Sequence, residues 1–210
     1  MLQIKDFDKD FKTRLYNLVG EIENNTATEA VVMIKQSSGH YFIYSLAAAG
    51  MFFVVLLTYF MLSPIEYDPY LMYTFSFFAS VILLVALTFV SDFQRIIIPK
   101  KIRRKNTEIH ARAVFQKAGM YKTVNNSAFL VYYSLKEKEV CFLPDFGISL
   151  LMEDSAIREI EKILKKPFES AAPKEEILKA LKDIIPLLAK YLPSKGKEVN
   201  ELPDDLDIDL

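Results

Sequence analysis

YFIYSLAAAGMFFVVLLTYFML at residues 41–62 and PYLMYTFSFFASVILLVALTFV at residues 69–90 decide the architecture of this chain. Each stretch is 22 residues long and carries no charge. At about 1.5 Å rise per residue, such a helix is about 33 Å long, enough to cross a hydrocarbon core of roughly 30 Å. The short connection, residues 63–70, makes the pair a transmembrane hairpin with polar sequence on both flanks. Small residues, Ala47-Ala48-Ala49-Gly50 in the first span and Ser76, Ala79 and Ser80 in the second, suit close helix packing. Neither span carries an ionisable residue, which argues against a transporter or proton relay and for an anchor.

Charge sets the expected orientation. Arg95, Lys100, Lys101, Arg103, Arg104 and Lys105 follow the second span, whereas residues 63–70 hold only Glu66 and Asp68. Cytoplasmic loops collect Lys and Arg, so both termini are expected in the cytoplasm of a multi-pass protein of the inner (plasma) membrane. The basic run at residues 100–105 is first a topology determinant and a contact for anionic lipid. Tyrosines at the span edges, among them Tyr41, Tyr44, Tyr67 and Tyr70, suit the headgroup level. The first forty residues hold no apolar signal segment, so the first span is expected to direct its own insertion. A net charge of −1 excludes general affinity for nucleic acid, and a lone cysteine, Cys141, excludes an internal disulfide.

Outside the hairpin the pattern is α/β. Phe7, Phe11, Leu15, Leu18 and Ile22 recur at helical spacing, and Asn24-Asn25-Thr26 stops that helix. Residues 29–35 read as a strand buried on both faces. Residues 102–119 read as a helix closed by Gly119, with Ala111, Val114, Phe115 and Ala118 on one face. Residues 128–134 and 140–143 read as a strand hairpin, residues 154–166 as a helix and residues 173–191 as another, bent at Pro186. A lone strand before the hairpin cannot be stable, so the two flanks should assemble into one cytoplasmic domain. This divides the chain into residues 1–37 (helix and strand), 41–90 (hairpin), 91–193 (the rest of the domain) and 194–210, an acidic tail.

Thr26-Ala27-Thr28-Glu29-Ala30-Val31-Val32, the Ala111–Phe115, Gly119 and Thr123 set, and residues 129–140 together resemble the membrane-bound bacterial branch of the TPM-domain family. Asp145-Phe146-Gly147-Ile148, Tyr191-Leu192-Pro193 and Asn200-Glu201-Leu202-Pro203 extend the resemblance over nearly the whole chain in order. It implies a three-layer TPM-like α/β domain interrupted by the two-helix hairpin. It does not imply one activity: relatives are linked to photosystem repair with weak acid phosphatase activity, to an auxiliary role on a receptor channel, and to binding of calcium or other divalent ions. Where relatives carry a Gly-Tyr-Gly loop, this chain has Leu143-Pro144-Asp145-Phe146-Gly147.

The residues themselves assign no catalytic group and no cofactor. His40 and His110 suit interfacial and surface positions, and Cys141 suits a buried strand. There is no zinc spacing, phosphate loop or nucleophile elbow. Acidic residues remain: Asp145, Glu29, Glu153 and Asp154, at strand ends and flanking an apolar loop, are the candidate ligands of a weak Ca²⁺ or Mg²⁺ site. Asp154 also suits a helix N-cap. The expected function is a membrane-anchored interaction module acting in assembly or quality control of membrane complexes, with the bilayer and another membrane protein or a second copy as partners. The alternative is a membrane-anchored, divalent-ion-dependent phosphatase-like hydrolase.

Overall fold

Strand β1 (Glu29–Lys35) pairs in parallel with β2 (Ala128–Ser134), and β2 pairs antiparallel with β3 (Glu139–Pro144), giving the sheet order β1-β2-β3. The computed structural model describes residues 4–90, 95–123 and 126–194. Glu29 stands opposite Ala128 and Lys35 opposite Ser134, so β1 finds its partner across the whole of the apolar hairpin. Two further bonds, Leu135 N–H to Lys35 O (3.0 Å) and Lys136 N–H to Gln36 O (2.9 Å), carry the ladder past the strand ends. This pairing brings the segment before the hairpin and the segment after it into one sheet. Among the described residues, those up to Ser38 and from Arg104 onward form one compact unit, and those within Gly39–Arg103 form another.

Both faces of the sheet are buried, which explains strands without polar alternation. Ala30, Val32, Ile34, Phe129, Val131, Tyr133, Val140 and Phe142 pack with helices α1 (Lys9–Asn25), α6 (Asp154–Lys165) and α7 (Pro173–Tyr191). Val31, Met33, Leu130, Tyr132 and Cys141 pack instead with Ala111 and Phe115 of α4 (Lys100–Lys117) and with Met120. Asp8 caps α1 by accepting a bond from Phe11 N–H at 3.1 Å. Thr26 ends it in extended backbone, its hydroxyl bonded to Ile22 O. After α4, Gly119 takes a left-handed φ of 69°, which a Cβ disfavours. Pro173 opens α7, and Pro186 lies inside that helix without ending it.

In the second unit, α2 (Phe42–Leu62) and α3 (Pro69–Phe89) are long and apolar enough to cross a membrane. Asp68 caps α3 by accepting from Tyr70 N–H (2.8 Å), with Pro69 at the first helical position. The buried contacts are Ser45 and Ala49 of α2 and Ser76, Ser80 and Leu87 of α3, while large apolar side chains such as Met51, Tyr59, Phe75 and Ile82 face outward. The small-residue expectation thus needs adjustment. Ala49, Ser76 and Ser80 lie inside, but Ala47 and Gly50 are exposed, and Ser45, four residues before Ala49, takes the inner place.

Two expectations are corrected. The segment after Asp145 is not a loop but a short helix, α5 (Phe146–Leu151), too brief to show helical periodicity. Asp154 is not the N-cap of α6: Glu153 occupies that position in extended backbone, and Asp154 lies in the first turn, where its charge favours the helix dipole. The acidic tail, from residue 195 on, lies outside the described residues.

One core position yields a test. The Tyr133 hydroxyl is fully buried beside Phe168 and has no hydrogen-bond partner among the described residues, and burial pushes its ionisation well above the usual tyrosine range. Removing an unsatisfied buried hydroxyl lifts a desolvation cost of about 1–3 kcal/mol. Tyr133→Phe is therefore expected to leave stability unchanged or raise it by about 1 kcal/mol in chemical denaturation, against the usual loss for a core substitution.

Candidate functional site

The sheet has two polar ends. At the first, β1 and β2 begin and β3 finishes. Asp145 N–H bonds Ala128 O (2.8 Å), closing β3. The Asp145 carboxylate turns back to accept Phe146 N–H at 2.8 Å, and its carbonyl accepts both Ser149 N–H (3.0 Å) and Ser149 Oγ–H (2.9 Å). Asp145 is thus the N-cap of α5, only 8% exposed, and its second oxygen, Oδ2, is buried with no hydrogen bond among the described residues. Glu29 opens β1, its N–H bonded to Ser127 O (3.2 Å). With β2 between them, the backbones of Glu29 and Asp145 stand two strand spacings apart, about 10 Å. Glu153 and Asp154 are exposed, and Glu153 Oε2 accepts from the Ser155 hydroxyl at 3.1 Å. Among the described residues no three His, Cys, Asp or Glu side chains form a group able to hold a metal ion. Asp145 thus caps α5, Glu29 opens β1, and Glu153 and Asp154 open α6.

The other end of the sheet holds a cluster that the sequence reading missed. Glu137 lies in the β2–β3 turn, yet is 1% exposed. Its Oε1 accepts from Ser37 Oγ–H (3.0 Å) and Ser38 N–H (2.9 Å), and its Oε2 from Ser134 Oγ–H. The Ser38 hydroxyl reaches Ser134 Oγ (2.6 Å) and the Tyr132 hydroxyl (3.1 Å). Lys138, with φ of 50°, supplies the left-handed step of the turn. Burial pushes the Tyr132 phenol up; the Ser38 bond opposes this and the Glu137 charge adds to it. Ser134 beside a carboxylate suggests an activated hydroxyl, but at 0% exposure it offers no substrate a path. The cluster ties the turn to the chain leaving β1. Its only sequence signal is the conjunction of Ser37-Ser38, Ser134 and Glu137, which means nothing until the β1–β2 register is known.

A charged seam crosses β3. Arg104 donates to Glu108 Oε1 and Glu161 Oε2, both at 3.0 Å, and Lys165 pairs with the buried Glu139. Burial holds the Glu161 carboxyl above its usual range; Arg104 opposes this and Glu108 adds to it. The Cys141 thiol is pushed up to about 12, first by burial and then by Glu161 and Glu108. Such a thiol stays protonated and is not a nucleophile at neutral pH. His40 and His110 are both exposed.

No family model matches the chain, and no curated protein matches it. The chain is similar in structure to the BA42 protein from the psychrophilic bacterium Bizionia argentinensis sp. nov., solved by NMR, with a TM-score of 0.59 at 16% sequence identity over 99% of each chain. At that identity the likeness concerns the fold.

Two measurements follow. Glu137→Ala removes the acceptor of three buried donors, and a loss of about 2–4 kcal/mol is expected in denaturant titration, with Glu137→Gln losing less. Cys141 is expected to resist iodoacetamide at pH 8 in the folded protein and to react readily once unfolded. Because its folded ionisation lies above the ordinary value of 9.0, the contribution it makes is complete below pH 9 and is lost as pH rises towards about 12.

Proposed function

We propose that this chain is a membrane-anchored interaction module, in which the apolar hairpin holds a three-layer, TPM-like α/β domain against the cytoplasmic side of the inner membrane. The observation that carries the reading is the hairpin itself. Its two helices fully bury small side chains and Leu87, pack Phe60 against Phe75, and leave many large apolar side chains exposed, among them Met51, Val54, Tyr59 and Ile82, an arrangement suited to lipid rather than water. The ordered resemblance to TPM segments supports the domain assignment, and the excess of Lys and Arg after α3 supports cytoplasmic termini. The candidate nucleophiles Ser134 and Cys141 are buried, which favours a binding role in assembly or quality control of membrane complexes, with another membrane protein or a second copy as partner.

One observation favours the second reading, a divalent-ion-dependent phosphatase-like hydrolase: the buried Oδ2 of Asp145, which has no hydrogen bond among the described residues. An ion bound only to the folded state raises stability by mass action. Under this reading millimolar Ca²⁺ or Mg²⁺ raises the melting temperature, Asp145→Asn abolishes the shift, and the purified protein hydrolyses a phosphomonoester. Under the first reading the melt does not move and no hydrolysis occurs, whereas affinity capture from native membranes, solubilised under mild conditions, returns a discrete membrane-protein partner or a second copy. Reporters fused at either terminus are expected to be active only on the cytoplasmic side; activity on the external side overturns the orientation.

A further inference from the structure

We infer that Lys100, Lys101 and Lys105 form a docking site for anionic lipid headgroups of the leaflet in which the hairpin ends. The inference deepens the reading of the hairpin as a membrane anchor and rests on it. The basic run after α3 is not uniform. Arg104 is committed to the protein, held by Glu108 on its own helix and by Glu161 on α6. Lys100, Lys101 and Lys105 are exposed and, among the described residues, make no ion pair.

Helical geometry separates the two roles. Thr107, Ala111 and Phe115, at four-residue steps, are the buried side chains of α4. Lys101 and Lys105 are likewise four residues apart and fall on a different face, with exposed Ile109 and Arg112 further along it. The first turns of α4 therefore present ammonium groups outward, within about 16 residues of the end of a membrane-crossing helix, the interval over which basic residues act at the membrane surface. The placement also opposes the helix dipole: three cations stand in the first turns of α4, where anions are favoured, and the helix has no acidic residue in its first turn. An anionic headgroup there meets both the ammonium groups and the positive end of the helix dipole. Each such cation near an anionic surface favours association, and salt screens the effect.

The test uses the full-length protein reconstituted into bilayers with spin-labelled phosphatidylglycerol or phosphatidylcholine as reporter lipids. The native protein is expected to select phosphatidylglycerol by at least about threefold, and the preference is expected to fall to near unity in about 1 M salt. Lys100→Gln/Lys101→Gln/Lys105→Gln should abolish it. Lys162→Gln/Lys182→Gln/Lys190→Gln, which changes net charge equally at exposed sites elsewhere, should retain it. Equal association of the two lipids with the native protein, or equal loss in both triple variants, overturns the inference. A protein that reconstitutes into neither bilayer overturns instead the anchor reading on which it rests.

Discussion

The parallel pairing of β1 with β2 is the constraint on which the rest of the molecule depends. A parallel pair needs a crossover, and the usual crossover is one helix of a dozen or so residues. Here the crossover contains both apolar helices and then α4, which lies over the second face of the sheet. Loop-closure entropy grows only slowly with length, so a long insertion costs little more than a short one once the ends are held. What holds them is the seven-residue register from Glu29–Ala128 to Lys35–Ser134, with five consecutive buried residues in β1. Without β2, β1 would expose apolar side chains on both faces.

The register is fixed again at its far end by the Glu137 cluster. A buried carboxylate is tolerated only where its oxygens are satisfied, and here three donors come from Ser37, Ser38 and Ser134. Two of those donors belong to the chain leaving β1 and one to the end of β2. A slip by one residue would turn the alternate core side chains to the wrong face and would also separate Ser38 from Glu137. Apolar packing and the polar cluster therefore select the same pairing, which is the consistency expected of a sequence that specifies one structure.

That logic explains what was legible in advance. The α1, β1, β2, α6 and α7 segments are long enough for apolar spacing to reveal them, and their observed bounds lie close to those read from the sequence. α5 has six residues, less than two turns, and no periodicity can show in it. Asp145 was readable as a chemically notable carboxylate, but not as the cap of a helix that was itself invisible. Glu137 was hidden more deeply. In a Lys-Glu-Lys-Glu turn every charge looks solvent-facing, and only the pairing of two strands distant in sequence brings the serines of one to the turn of the other. Within the hairpin, a run of small residues offered several possible contact faces, and Ser45 rather than Gly50 completes the one in use.

The charges of the α/β unit fall into two populations with different physical roles. Glu137, Glu139 and Glu161 are buried or half-buried, and each is matched to specific donors from another element, so each costs stability if its partner is lost. The exposed lysines at the start of α4 make no ion pair among the described residues, and exposed cations of this kind contribute little to a fold. The α/β unit thus keeps its matched charges inside, whereas the hairpin leaves many of its large apolar side chains exposed.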